Sequence, residues 1–172
     1  TPEMLSFFSE LTGVNFPWQK YAQIVVRDYV SGAMENTTSV VFGEFVQKHK
    51  RELIDNHNDA IVAHEMMHHW FGDYVTCESW SNLTLNEGFA NYAEYLWLEH
   101  KYGRDEAEQH RVEEMQGYLY QASQEVHPLI YFGYDEKEQM FDAHSYNKGG
   151  LVLHMLRDLV GEEAFFHSLN NY

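Results

Sequence analysis

Cysteine is nearly missing: Cys77 stands alone in 172 residues. No internal disulfide can form, and a cysteine-built zinc site is excluded. Basic charge is scarce as well. Eleven Lys and Arg face 27 Asp and Glu, a formal net charge of −16, and no basic run occurs. Nucleic acid and anionic membrane surfaces are therefore poor partners, since both call for clustered cations. No apolar run approaches the ~20 residues that cross a bilayer, so the chain carries no membrane segment. No signal peptide is visible either. What is plentiful is core material, 44% hydrophobic and 16% aromatic, in a length that suits one packed domain. The chain opens at Thr1 without an initiator Met and closes at Tyr172 inside a helical pattern, which reads as a segment of a larger protein.

The pattern along the chain is strands first and helices after, which predicts an α+β fold, mostly helical. "TPEMLSFFSELTG" reads as a short helix with Thr1 as N-cap, Pro2 at its first position and Gly13 past its end. "YAQIVVRDYV" reads as a strand running into the turn "SGAMEN", and "TTSVVFGEFV" as a second strand. A helix is expected from about Asp55-Asn56 with Ile61, Val62, Met66 and Trp70 as apolar positions. The next runs from about Asn82, with Leu83, Phe89, Ala90, Ala93, Leu96 and Trp97 inward and Gly103 as its stop. Asp105 caps a polar helix to about Ser123, and a loop rich in Gly, Pro and aromatics follows. "YNKGGLVLHMLRDLV" and "EEAFFHSLNNY" form two last helices separated by Gly161.

Within the first of the long helices lies "HEMMH", His64 to His68, which fits H-E-x-x-H. Residues i and i+4 share a helix face, so both imidazoles can aim at one point, with Glu65 projecting beside them. Catalytic zinc takes three protein ligands and leaves a fourth position open. Glu87, early on the following helix, can supply the third. Eighteen residues separate it from His68, enough for the first helix to end after Gly72 and a second to return. The remaining histidines show no ligand spacing and read as structural or exposed. His69 lies about 100° around the helix from His68 and should face elsewhere.

"GAMEN" (Gly32 to Asn36), "HEMMHHWFGDYVT", "LNEGFANYAEY" and "SYNKGGLVLHML" together resemble the aminopeptidase N family of gluzincin zinc peptidases, in order and in spacing, across most of the chain. The resemblance implies a thermolysin-like catalytic domain and one Zn2+ held by His64, His68 and Glu87. It implies Glu65 as general base and Tyr146 as the hydroxyl donor to the oxyanion. Glu35 becomes the anchor for a free α-ammonium, with Gly32 and Ala33 beside the substrate backbone. Peptides with a free N-terminus are the implied substrates. Residues 1–172 then correspond to part of the catalytic domain. Upstream sheet strands, an N-terminal β-domain and a C-terminal helical domain lie outside it, as partners in the full-length protein, and the isolated segment is expected to be weakly active or inactive.

Asn91 and Lys148 are weaker candidates for supporting roles, with solvent contact or packing as the default for each. "SNLT" before "NEGFA", together with His69 and Asp73, departs from the commonest family pattern without touching the proposed chemistry. Two rival readings remain: an epoxide hydrolase-type member of the same family, and a non-catalytic homologue that binds zinc or peptide. Intact Glu65 and Tyr146 weigh against the second.

Overall fold

Pro2 presets the backbone for a helix, and Gly13 takes the left-handed conformation (φ 68°) that closes it, so helix α1 runs Pro2–Thr12. Thr1 is the N-cap, though its side chain makes no capping hydrogen bond. The computed structural model describes residues 1–54 and 57–172. Three short strands follow: β1 (Ala22–Val26), β2 (Ala33–Met34) and β3 (Ser39–Gly43). Their order is β1-β3-β2, with β1 parallel and β2 antiparallel to the central strand. "SGAMEN" is thus more than a turn. Ala33 and Met34 pair with Phe42 and Val41, which makes this segment a sheet edge and fixes Glu35 at its end. The two strands expected from sequence are shorter than their β-rich runs suggested, since β1 and β3 pair only over Ala22–Val26 and Ser39–Gly43.

Helix α2 is Asp59–Met67; the expected start near Asp55-Asn56 lies outside the described residues. It ends earlier than Gly72. His68 is its C-cap, still helical at φ −54°, ψ −25°, with its N–H on the His64 carbonyl, so the i, i+4 alignment survives the ending. Helix α3 (Thr84–Tyr102) returns antiparallel in chain order, followed by α4 (Arg104–Ala122), α5 (Gly149–Val160) and α6 (Glu162–Asn171). α4 is capped by Gly103 and not by Asp105. The segment His144–Lys148 winds as a π-helical turn leading into α5, so the helix expected from Tyr146 begins three residues later in α form.

The α+β, mainly helical architecture is as expected. One core joins α1, α2 and α3 through Met4, Phe8, Met66, Trp70, Ala93 and Trp97. A second, around Tyr92, Leu96, Leu98 and Phe165, attaches α6 to the far side of α3. α5 crosses α3 at glycine on glycine. A Cβ on Gly149 would sit 2.9 Å from Gly88 Cα, so neither site has room for a side chain. This close approach brings the turn carrying Tyr146 against the start of α3, where Glu87 lies.

Candidate metal centre

Two elements supply the centre. α2 and the turn after it carry His64 and His68, while the first turn of α3 carries Glu87. Glu87 Oε2 lies 3.2 Å from His64 Nε2 and 3.2 Å from His68 Nε2. All three side chains are buried. Donors arranged tetrahedrally ~2.0–2.1 Å from one ion stand ~3.3 Å apart, so these separations suit a shared cation.

The outward ring nitrogens fix the tautomers. His64 Nδ1 donates to Glu94 Oε1 at 2.7 Å, and His68 Nδ1 donates to the Phe71 carbonyl at 3.1 Å. Each ring then turns an Nε2 lone pair toward the Glu87 carboxylate. Three acceptors converge with no donor among them, an arrangement resolved by a cation or by bound protons. Protons are indeed drawn to this place. Burial alone would lower both histidines, but hydrogen bonds to Glu87 (and to Glu94 for His64) outweigh it and raise them above the ordinary imidazole range. Glu87 moves the opposite way: burial would raise it, and its two histidine partners hold it well below the usual carboxylate range. The residues therefore fit a divalent ion of borderline softness, held by two nitrogens and one carboxylate oxygen.

Glu65 is buried next to the three and outside them, and its Oε2 has no hydrogen-bond partner. Burial pushes its pKa up to about 7, against the pull of His64 and His68. A carboxylate poised there can accept a proton near neutrality and return it. Glu35, half-buried at the end of β2, brings a carboxylate oxygen within 4.8 Å of ligand atoms of Glu65 and His68. Tyr146 lays its ring parallel to His64, centroids 5.9 Å apart. Burial first, and then the nearby carboxylate of Glu87, drive its pKa upward, so it remains a hydroxyl donor at neutral pH.

A cleft of about 660 Å³ joins these groups, lined by Ala33, Glu35, Glu65, Glu87 and Tyr146 among others. Gly32 is not among the lining residues. Its carbonyl accepts the Gly43 N–H at 2.8 Å and its φ is 45°, so it turns the backbone into β2. The opposite wall, which the sequence reading missed, is Trp80 and Phe141 with ring centroids 5.8 Å apart and Lys137 lying 5.3 Å over the indole.

Of the two weaker candidates, Asn91 departs from its default and Lys148 keeps to it. Asn91 is buried and not solvated, and donates to Glu114 Oε2 at 2.7 Å. Lys148 reaches the His127 carbonyl at 3.3 Å and covers Tyr118, a packing role. Glu94 was overlooked, although a signal existed: Glu87, Asn91 and Glu94 fall at i, i+4 and i+7 on an otherwise apolar face of α3. His69 faces away from the centre as expected. It is fully buried, donating to the Glu65 carbonyl and accepting the Thr38 N–H at 3.1 Å. Its pKa falls to about 4, mainly by burial.

The whole chain, residues 1–172, matches the family described as "Peptidase family M1 domain". It is 37% identical over 175 residues to Aminopeptidase M1-A of Oryza sativa subsp. japonica, covering 98% of this chain and 20% of that one. Endoplasmic reticulum aminopeptidase 2 of Bos taurus is 32% identical over 179 residues, with 99% and 19% covered. Among solved structures, a mutant M1 zinc metallopeptidase from Deinococcus radiodurans bound to a Tyr-Ser-Ala substrate superposes with a TM-score of 0.78 at 29% identity, over 99% of this chain and 35% of that one. The chain thus spans about a fifth of the length of the curated relatives it matches. With the family match running from the first residue to the last, this chain belongs to peptidase family M1.

Proposed function

We propose that residues 1–172 form the catalytic part of a zinc-dependent aminopeptidase whose remaining domains complete the substrate site. The observation that carries this reading is the convergence of His64 Nε2, His68 Nε2 and Glu87 Oε2 without a donor, beside the unpartnered Oε2 of Glu65. Relatives named aminopeptidases and neighbours named zinc metallopeptidases support it.

His64, His68 and Glu87 would hold one zinc ion, which when bound would supply Lewis acidity for the activation of water and of the peptide carbonyl. Glu65 accepts the proton released as water adds to the peptide carbon, and hands it to the departing amine. Its pKa near 7 suits both halves of that transfer. The Tyr146 hydroxyl donates to the oxygen that gains charge at the former carbonyl. Glu35 pairs with the substrate's α-ammonium and so fixes which bond reaches Glu65. Ala33, on the sheet edge, lies along the substrate backbone, with Gly32 setting the path of that edge. Glu94 holds His64 in the tautomer that presents Nε2 inward.

The test is hydrolysis by the full-length protein of aminoacyl arylamides, with and without chelator, against their N-acetylated counterparts. Release is expected only from substrates with a free amine and only with zinc. Glu65→Gln should remove activity by at least ~100-fold; a variant that keeps the parent rate refutes the base assignment.

A further inference from the structure

His127, Asp142 and His144 come together although nothing in their sequence spacing announces it, and all are shielded from solvent. A second metal centre is the first reading to test. Its donor separations argue against it. His127 Nε2 lies 2.7 Å and His144 Nδ1 3.0 Å from the same oxygen, Asp142 Oδ2. These are hydrogen-bond distances, short of the ~3.3 Å edge a tetrahedral ion requires. The ring of His144 donates through Nδ1, while its Nε2 accepts the His127 N–H at 3.4 Å. His127 meets acceptors on both sides, since Nδ1 also lies 2.7 Å from the Pro128 carbonyl.

The other oxygen of Asp142 does different work. Oδ1 accepts the backbone N–H of His144 at 3.1 Å and of Ser145 at 2.9 Å, and the Asp142 carbonyl accepts the Tyr146 N–H at 3.1 Å. These are the first amides of the π-helical turn, which an N-terminal carboxylate stabilises. We propose that Asp142 is the positioning residue for Tyr146, and that His127 and His144 lock the Asp142 carboxylate in the orientation this requires. Gln121 reinforces the lock from α4, accepting the Ala143 N–H at 2.6 Å. His127 stacks on His144 with centroids 4.0 Å apart, so the rings brace each other as well as the carboxylate. The chain from His127 to Tyr146 thereby sets where the hydroxyl stands over Glu87. The catalytic consequence rests on the reading of Tyr146 as the oxyanion donor; the placement itself does not.

Amide hydrogen exchange and steady-state kinetics on the full-length protein test this, using Asp142→Ala, Asp142→Asn and His127→Phe. The 144–146 amides should exchange about tenfold faster or more in Asp142→Ala, with α2 and α3 unchanged. Asp142→Asn keeps an acceptor for those amides and should recover part of the protection. His127→Phe fills the space without donors and should act in the same direction, which keeps the test open should Asp142→Ala fail to fold. For all three, kcat is expected to fall by up to ~100-fold with KM within about twofold. Unchanged exchange at 144–146, faster exchange spread over the whole chain, or a raised KM with intact kcat each overturn the proposal. So does loss of a second zinc equivalent in His127→Phe. Should the parent hydrolyse no arylamide, the aminopeptidase reading falls, while the exchange pattern still decides the placement of Tyr146.

Discussion

Removing the carboxylate behind His64 isolates how much of the metal affinity comes from outside the ligand set. Glu94 is almost the shape of glutamine, so Glu94→Gln changes charge and little else. In the parent, Glu94 Oε1 accepts from His64 Nδ1 at 2.7 Å, a charge-assisted bond, and burial makes its strength count. Such bonds contribute ~1.5–3 kcal/mol against ~1 for a neutral pair. A Gln at this position still accepts through its amide oxygen, so the expected loss is the difference, ~0.5–2 kcal/mol. At ~1.4 kcal/mol per decade, zinc should bind ~2–30-fold more weakly, reaching the range usual for partners of ligating histidines at its upper end. Glu94→Leu leaves the Nδ1–H without an acceptor and frees the ring to turn, and should lose more, ~100-fold or beyond. The measurement is the zinc dissociation constant of the metal-stripped protein, by competition against a chelator of known affinity. Parent-like affinity in both variants refutes the reasoning. Equal losses for Glu94→Gln and Glu94→Leu would also sink it, because charge and shape would then not separate.

Further perturbations address the scaffold. Gly149→Ala places a methyl 2.9 Å from Gly88 Cα, and the α3–α5 crossing must open, costing ~1–3 kcal/mol; calorimetry should show a lower Tm, and an unchanged one contradicts the packing account. His69→Ala strips the Glu65 carbonyl and the Thr38 N–H of their partner and should cost ~2 kcal/mol or more, whereas His69→Gln, with donor and acceptor on one amide, should recover part of the loss. Glu114 is raised above its ordinary pKa, chiefly by burial and then by the charge of Glu94. A carboxyl raised on folding penalises the folded state at pH values above its folded-state pKa, and the penalty vanishes below the unfolded one. Glu114→Gln should therefore stabilise the protein at pH 8 and lose that advantage in acid; the pH dependence of Tm checks the sign. Stripping the metal should lower Tm, since a ligand at 1,000 times its dissociation constant adds ~4 kcal/mol to stability.

The meeting of the three proposed ligands was legible because it is written in local periodicity. His64 and His68 share a face by helical spacing, and one return helix delivers Glu87. Glu65 was readable for the same reason, being one residue along from a ligand. The strand at Ala33–Met34 was not, because a two-residue pairing exists only through β3 and leaves no alternation to detect. Glu94 was half legible. Its helical register with Glu87 is visible, but that it faces α2 and not solvent depends on how α3 is rotated, which the buried Ala90, Ala93 and Trp97 decide. The joining of His127 to Asp142 could not be read at all. The two belong to an irregular segment, where no period relates sequence distance to distance in space.

The arrangement explains why a single helix carries so many polar side chains through a core. α3 is buried on several sides at once, against α2, α4 and α5, so a polar residue on it must find a partner on a neighbour. Glu87 finds His64 and His68, Glu94 finds His64 and His110, and Asn91 finds Glu114. The pairings tie α3 to α2 and to α4, and two of the three meet at His64. Moving α3 relative to α2 by even a fraction of an ångström therefore alters the ligand geometry and its outer hydrogen bond together. The glycine contact at Gly88–Gly149, with the Thr84 hydroxyl packed against it, resists such movement from the side of α5. Rigidity at that crossing, and not the hydrogen bonds alone, is what keeps Tyr146 and Glu87 within reach of each other.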